Sequence, residues 1–159
     1  EKLETALQDL LTLTAVNEAA IVSTCNRTEL YCDLSESDSA EVIAWFRAYH
    51  SLSAEELDPY IYTHLDNQAV QHILRVASGL DSLVLGEPQI LGQITTAYET
   101  ALSQRAAGTV LSALFRAAIH AGKRARTETA IGVNPASISS VAAALVRGSG
   151  AVRQEGETA

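Results

Sequence analysis

The sequence predicts an α+β fold, with strands confined to the first half of the chain and helix dominating the second. Three observations carry that reading. Apolar residues recur at helical spacing at Leu3, Leu7, Leu10 and Leu11, and again from Ile90 onward. Two short runs, 19–23 and 29–34, have strand character. After Gln89 almost nothing departs from a helical period, so sheet and helix segregate along the chain.

Taken in order, residues 1 to 13 read as an amphipathic helix on that leucine stripe. The run 19–23, AAIVS, is apolar with β-branched members, as a buried strand is. In 29–34, Leu30, Cys32 and Leu34 share one face, and Tyr31 and Asp33 the other. A polar connection, Thr24 to Thr28, joins the two strands. Residues 35–39 are polar and acidic, a loop. Residues 40–50 carry Val42, Ile43, Trp45 and Phe46 and predict a second helix. After Pro59, the run 60–65 (YIYTHL) predicts a third strand, and Asp66 is placed to cap a helix over 67–78. The character changes at Gly79. Ile90, Leu91, Ile94, Tyr98, Ala101 and Leu102 make one helical stripe, and Gly108 ends it. Leu111, Leu114, Phe115, Ala118 and Ile119 make the next, and Asn134–Pro135 ends that. A third helical pattern begins at Ser137. The organisation expected is an α+β part over 1–78, a helical part over 79–147 and a frayed polar tail over 148–159.

At 159 residues, 47% of them hydrophobic, the chain suffices for one domain or for two small layers sharing a core. No apolar run approaches the roughly 20 residues of a membrane span, and the opening EKLETALQDL is a helical pattern rather than a secretory signal. Two cysteines, Cys25 and Cys32, are too sparse for a disulfide scaffold, so a reducing, cytoplasmic setting is expected. Six residues separate them and no histidine is nearby, which is not metal-ligand spacing. A net charge of −8 argues against a diffuse grip on nucleic acid. The basic concentration at Lys123, Arg124 and Arg126 has two readings. These are cations near a helix C-terminus, or a local phosphate-contacting patch.

Cys25 follows a buried strand and sits in a polar turn, STCNRT, where a side chain can be presented to a ligand. Arg27, two residues on, would favour its thiolate, the reactive form. An accidental exposed cysteine is the alternative. Cys32, among apolar neighbours, reads as core. His72 lies on the predicted 67–78 helix at the edge of the stripe of Ala69, Val70, Ile73, Leu74 and Ala77, given about 100° per residue. An edge position can line a cleft, and an ordinary surface histidine is the plainer reading. His50, His64 and His120 have no distinguishing context. In 78–93, Glu87–Pro88 looks like a helix start. The glycines at 79, 86 and 92 fit either close approach to a ligand or tight packing of segments. Phosphate-loop spacing is not present in that stretch.

Three blocks then resemble one family. Ser23-Thr-Cys-Asn-Arg-Thr-Glu-Leu-Tyr31 is similar to the active-site signature of glutamyl-tRNA reductases. So is the block from Val76 to Gln93, VASGLDSLVLGEPQILGQ, and Gly122 to Thr129, GKRARTET, looks like the family's basic segment. They stand in the family's order and span nearly the whole chain to about Val146.

The resemblance implies NADPH-dependent reduction of glutamyl-tRNA to glutamate-1-semialdehyde, the first step of tetrapyrrole (haem) synthesis by the five-carbon route. Cys25 would be the nucleophile, splitting one hard step into two through a thioester that accepts hydride more readily than an ester. His72 falls at the family's active-site histidine, a polarising donor or general acid. Thr24, Arg27, Ser82, Glu87 and Gln89 match pocket residues, with Arg27 suited to the substrate carboxylate. Lys123, Arg124 and Arg126 become candidate tRNA contacts. The implied fold is a ferredoxin-like antiparallel sheet with helices, then a helical subdomain and the start of a long spinal helix. An NADPH-binding Rossmann domain and a dimerisation domain follow in the family. Implied partners are glutamyl-tRNA, a second copy in a homodimer and glutamate-1-semialdehyde aminomutase, with no membrane. Against that pattern the chain lacks the first strand and a His-Lys segment, and it stops where the spinal helix continues. Without the NADPH domain it is expected to form the thioester and not to reduce it. The rival readings are an inactive or partner-binding fragment and an unrelated cysteine hydrolase.

Overall fold

The computed structural model describes residues 2–24, 26–36, 38–81, 87 and 89–132. Among them two antiparallel strands pair, β1 (Val16–Ser23) and β2 (Thr28–Leu34), with Ser23 opposite Thr28 and Ala20 opposite Tyr31. The helices are α1 (Lys2–Leu10), α2 (Ala40–His50), α3 (Ala54–Leu57), α4 (Asn67–Ala77), α5 (Gln89–Ser103) and α6 (Thr109–Glu128). Short 3₁₀ turns lie at Asp58–Tyr60 and Ala130–Gly132. The α+β class is the one the sequence predicts. The short α3 was not expected, although Ser53 and Glu56 form a reciprocal capping box at its start.

The four consecutive residues Ala19, Ala20, Ile21 and Val22 are all buried. Successive strand residues point to opposite faces, so β1 is covered on both. Helices α1, α5 and α6 supply the cover. Helix α6 buries Leu111, Phe115, Ala118 and Gly122 along one 3.6-residue stripe. Phe115 is the centre of the packing. Its ring meets Tyr31 of β2 edge-on at 5.5 Å and stacks on Tyr98 of α5 at 5.6 Å. Those three rings tie the sheet to both long helices, and the buried residues form one continuous core across the two halves of the chain.

The first turn of α6 has its amides satisfied from far away in sequence. Its N-cap, Gly108, has no side chain to accept them. The Glu18 carboxylate accepts from Val110 N at 3.1 Å and Leu111 N at 2.7 Å instead. Glu18→Ala is expected to lower stability by about 1 kcal/mol, read as a lower urea midpoint with an unchanged slope. An unchanged midpoint would remove Glu18 as a cap.

The predicted third strand over 60–65 is corrected by the structure. Residues 61–65 adopt no regular element, and Tyr60, Tyr62 and Leu65 are exposed. Aromatic and β-branched residues supply strand propensity, but a strand also needs a partner and a buried face, and this segment has neither among the described residues. It ends in a tight turn, where Gln68 N donates to Leu65 O at 3.0 Å. Asp66 occupies the glycine-favouring position of that turn with φ 47° and ψ −120°. It therefore precedes α4 as expected, but its side chain makes no capping bond. The helix expected from Ser137, the spinal-helix start and the 148–159 tail lie outside the described residues.

Candidate active site

The connection between β1 and β2 is organised by one hydroxyl. Thr24 Oγ1 accepts from Asn26 N at 3.2 Å and Arg27 N at 3.1 Å, and donates to Arg27 O at 3.0 Å. Thr24 N closes the turn onto the same carbonyl at 2.9 Å. Cys25 belongs to this turn in sequence and itself lies outside the described residues. Thr24→Val is expected to cost about 1–2 kcal/mol of stability and Thr24→Ser much less. Equal unfolding midpoints for the two variants would show that the hydroxyl does not hold the turn.

Beside the turn, β2 presents Glu29, whose side chain is 6% exposed. Its carboxylate is saturated. Oε1 accepts from Arg27 Nε at 2.8 Å, Tyr62 Oη at 2.7 Å and His72 Nε2 at 2.7 Å, and Oε2 from Tyr31 Oη at 2.5 Å. Burial by itself pushes such a carboxyl up. The hydrogen bonds from His72, Tyr31 and Tyr62 outweigh it and hold Glu29 down at about 2. An ionised carboxylate only accepts, so His72 Nε2 is the donor in their bond and the ring's tautomer is fixed. Its Nδ1 faces Asp81 at 3.8 Å, beyond hydrogen-bond length. Burial, and then the Glu29 charge, push the Tyr31 phenol up, so it remains a donor. Burial and the bond to Glu29 push Tyr62 up in the same way.

Of the residues singled out in the sequence, the structure brings Arg27 and His72 together on Glu29. His72 sits at the edge of α4 with its side chain 13% exposed, as the helical angle predicts. One terminal nitrogen of Arg27 also reaches Asp81 Oδ2 at 3.3 Å. Ser82 is outside the described residues. Glu87 gives its backbone carbonyl to Arg126 at 2.6 Å, so part of the basic segment ties down the approach to α5. Arg124 forms a double hydrogen bond with Glu128 on the surface, and Lys123 is exposed. Gln89 lines a cavity of about 430 Å³ with Leu3, Ser23, Gln93 and Thr96. Cys32 packs against the core as expected, and burial pushes its thiol up to about 12. Sequence reasoning gave no role to Glu29, Tyr31, Tyr62 or Asp81. Period two along β2 puts Glu29 with Tyr31 on one face, and that was the available signal. Among the described residues no cluster of His, Cys, Asp and Glu could hold a metal ion, and no helix is long and apolar enough to cross a membrane.

Comparisons with known proteins converge on one family. The family described as "Glutamyl-tRNAGlu reductase, N-terminal domain" matches residues 1–129. Glutamyl-tRNA reductases of Marinomonas sp. and Nitrosococcus oceani are 51% and 49% identical over 150 and 147 residues, each match covering 92% of this chain. That of Stutzerimonas stutzeri is 51% identical over 142 residues, 89% of this chain. The matched part is about a third of each relative, 35%, 35% and 34%. The solved structure of glutamyl-tRNA reductase from Methanopyrus kandleri superimposes with a TM-score of 0.66 at 32% identity, covering 79% of this chain and 29% of that one. The chain therefore belongs to the glutamyl-tRNA reductase family and corresponds to its N-terminal domain.

Proposed function

We propose that this chain is the thioester-forming part of an enzyme that reduces glutamyl-tRNA to glutamate-1-semialdehyde at the start of tetrapyrrole synthesis. The observation that carries the reading is the saturated Glu29 carboxylate, which locks His72 and Arg27 beside the turn containing Cys25. With Nε2–H held by Glu29, the Nδ1 side of His72 is assigned the Cys25 thiol proton. The thiolate then adds to the ester carbonyl, the carbon–sulfur bond forms and the carbon–oxygen bond to the tRNA ribose breaks. The proton returns from His72 to the departing ribose oxygen. Two N–H groups of Arg27 are spoken for by Glu29 and Asp81. A guanidinium has five, which leaves donors for the substrate's carboxylate.

Reduction of the thioester would take its hydride from NADPH. None of the chain's nine glycines falls into a G-x-G-x-x-G loop. The NADPH site is therefore assigned to a part of the enzyme outside this chain, and no step is derived through it. Homodimer formation, delivery of the aldehyde to an aminomutase, a cytoplasmic location and tRNA contacts by Lys123 and Arg124 belong to the same proposal and rest on family membership alone.

The test is mass spectrometry of the full-length protein mixed with glutamyl-tRNA without NADPH, beside Cys25→Ser. A glutamyl adduct on Cys25, absent from the variant, is the expected result. A folded, tRNA-binding protein that forms no adduct would overturn the nucleophile assignment.

A further inference from the structure

We propose that Tyr62 and His64 form a stacking platform for the unpaired terminal adenine of the tRNA substrate. The proposal deepens the functional reading above and depends on the substrate being an aminoacyl ester of tRNA. Residues 61–65 adopt no regular element and have no strand partner among the described residues. Within it the Tyr62 and His64 rings lie side by side, with centroids 5.4 Å apart. Both rings also touch His72, at 5.5 Å from Tyr62 and 4.8 Å from His64. The result is a contiguous group of three rings. Its inner end is bonded to buried Glu29 through Tyr62 Oη and His72 Nε2, and its outer end is open.

The exposure is what a structural role does not account for. Tyr62 is 51% exposed, and His64 is exposed. Packing alone would bury such rings, and a contiguous exposed aromatic surface marks a binding site.

The chemistry selects the occupant. In any aminoacyl-tRNA the ester is carried by a ribose hydroxyl of the terminal adenosine. When the carbonyl is at His72, the adenine is therefore one sugar away, and His64 is the next ring outward. Single-stranded ends are bound largely by stacking on aromatic side chains. Stacking also suits an acidic chain of net charge −8, because it engages the face of the base and not a phosphate. A proton relay through His64 is the competing use. The two imidazoles meet as tilted rings at 41°, with no hydrogen bond between them, which favours stacking.

The test uses the full-length protein and the trinucleotide CCA with 2-aminopurine in place of the last adenine. Stacking quenches that fluorophore. Quenching is expected with wild type and His64→Phe and is expected to be lost with His64→Leu. In adduct formation from glutamyl-tRNA, His64→Leu is expected to raise KM about 5- to 100-fold, with a much smaller change at saturating substrate. His64→Phe is expected to restore KM. Quenching indifferent to His64→Leu would overturn the platform, and so would a His64→Phe variant as impaired as His64→Leu, which would assign imidazole chemistry. If wild type makes no Cys25 adduct yet quenches the probe through His64, the nucleophile assignment falls and the platform stands. Adduct formation with a KM insensitive to His64 sinks the platform alone.

Discussion

Replacing Glu29 with leucine is expected to destabilise the protein by about 3–5 kcal/mol and to slow formation of the cysteine adduct about 100-fold or more. The four groups bonded to this carboxylate, from Arg27, Tyr31, Tyr62 and His72, would face an apolar side chain. One of them, Arg27, carries a charge with its side chain only 22% exposed. Leaving buried donors unpaired costs more than the net worth of the bonds. Glu29→Gln keeps an acceptor in the same place and should cost less. The acid response separates the two effects. Glu29 is held at about 2 from an ordinary 4.5. Its contribution is complete above about pH 4.5 and drains away as the pH falls toward 2. At 1.36 kcal/mol per unit, that is about 3 kcal/mol. Urea unfolding of wild type should show this loss between those pH values, and Glu29→Gln should lack it. Identical acid profiles would mean that the carboxylate is not held as described.

The second large effect is expected from a glycine pair with opposite outcomes. Gly122 lies on α6 where it crosses α4. A Cβ there would come within 2.5 Å of the Ala77 carbonyl oxygen and 2.8 Å of Leu91 Cδ1. The first of these is backbone and cannot rotate away, so the helices must separate. Overpacking of this kind costs about 1–3 kcal/mol, against about 1 kcal/mol gained from the better helix former. Gly122→Ala should lose stability, and Gly122→Val considerably more. Helix α4 also carries His72, so adduct formation should slow in step. On α5, a Cβ at Gly92 would meet nothing within 4 Å. Gly92→Ala should therefore gain about 0.5–1 kcal/mol. Thermal midpoints moving in the same direction for Gly92→Ala and Gly122→Ala would contradict the close α4–α6 crossing.

Sequence periodicity fixed most of the helices, because each buries one stripe that can be read locally. Helix α2 spans Ala40–His50 as predicted, and α4 and α6 begin where Asp66 and Gly108 indicate. His72 at a helix edge was legible for the same reason. The segment 60–65 was misread because strand propensity is only half of a strand, and the missing half is a neighbour elsewhere in the chain. Glu29 was illegible as a hub for a related reason. Its partners Tyr62 and His72 lie 33 and 43 residues away, and no local pattern reports such a meeting. Arg126 looked like part of a uniform basic patch, yet its partner is the carbonyl of Glu87, 39 residues distant. The tautomer of His72, and with it the direction in which protons can move, follows only from those long-range contacts.

The buried thiol of Cys32 gives the chain a built-in chemical reference. Raised to about 12, it is ionised at pH 7 in only about one molecule in a hundred thousand. Alkylating reagents act on thiolates, so the folded protein should leave Cys32 unlabelled over times that suffice for an accessible, ordinary cysteine. In the folded chain one equivalent of label then reports on position 25, and a second equivalent reports unfolding. A single intact-mass spectrum thereby reads the state of the proposed nucleophile and the integrity of the fold together.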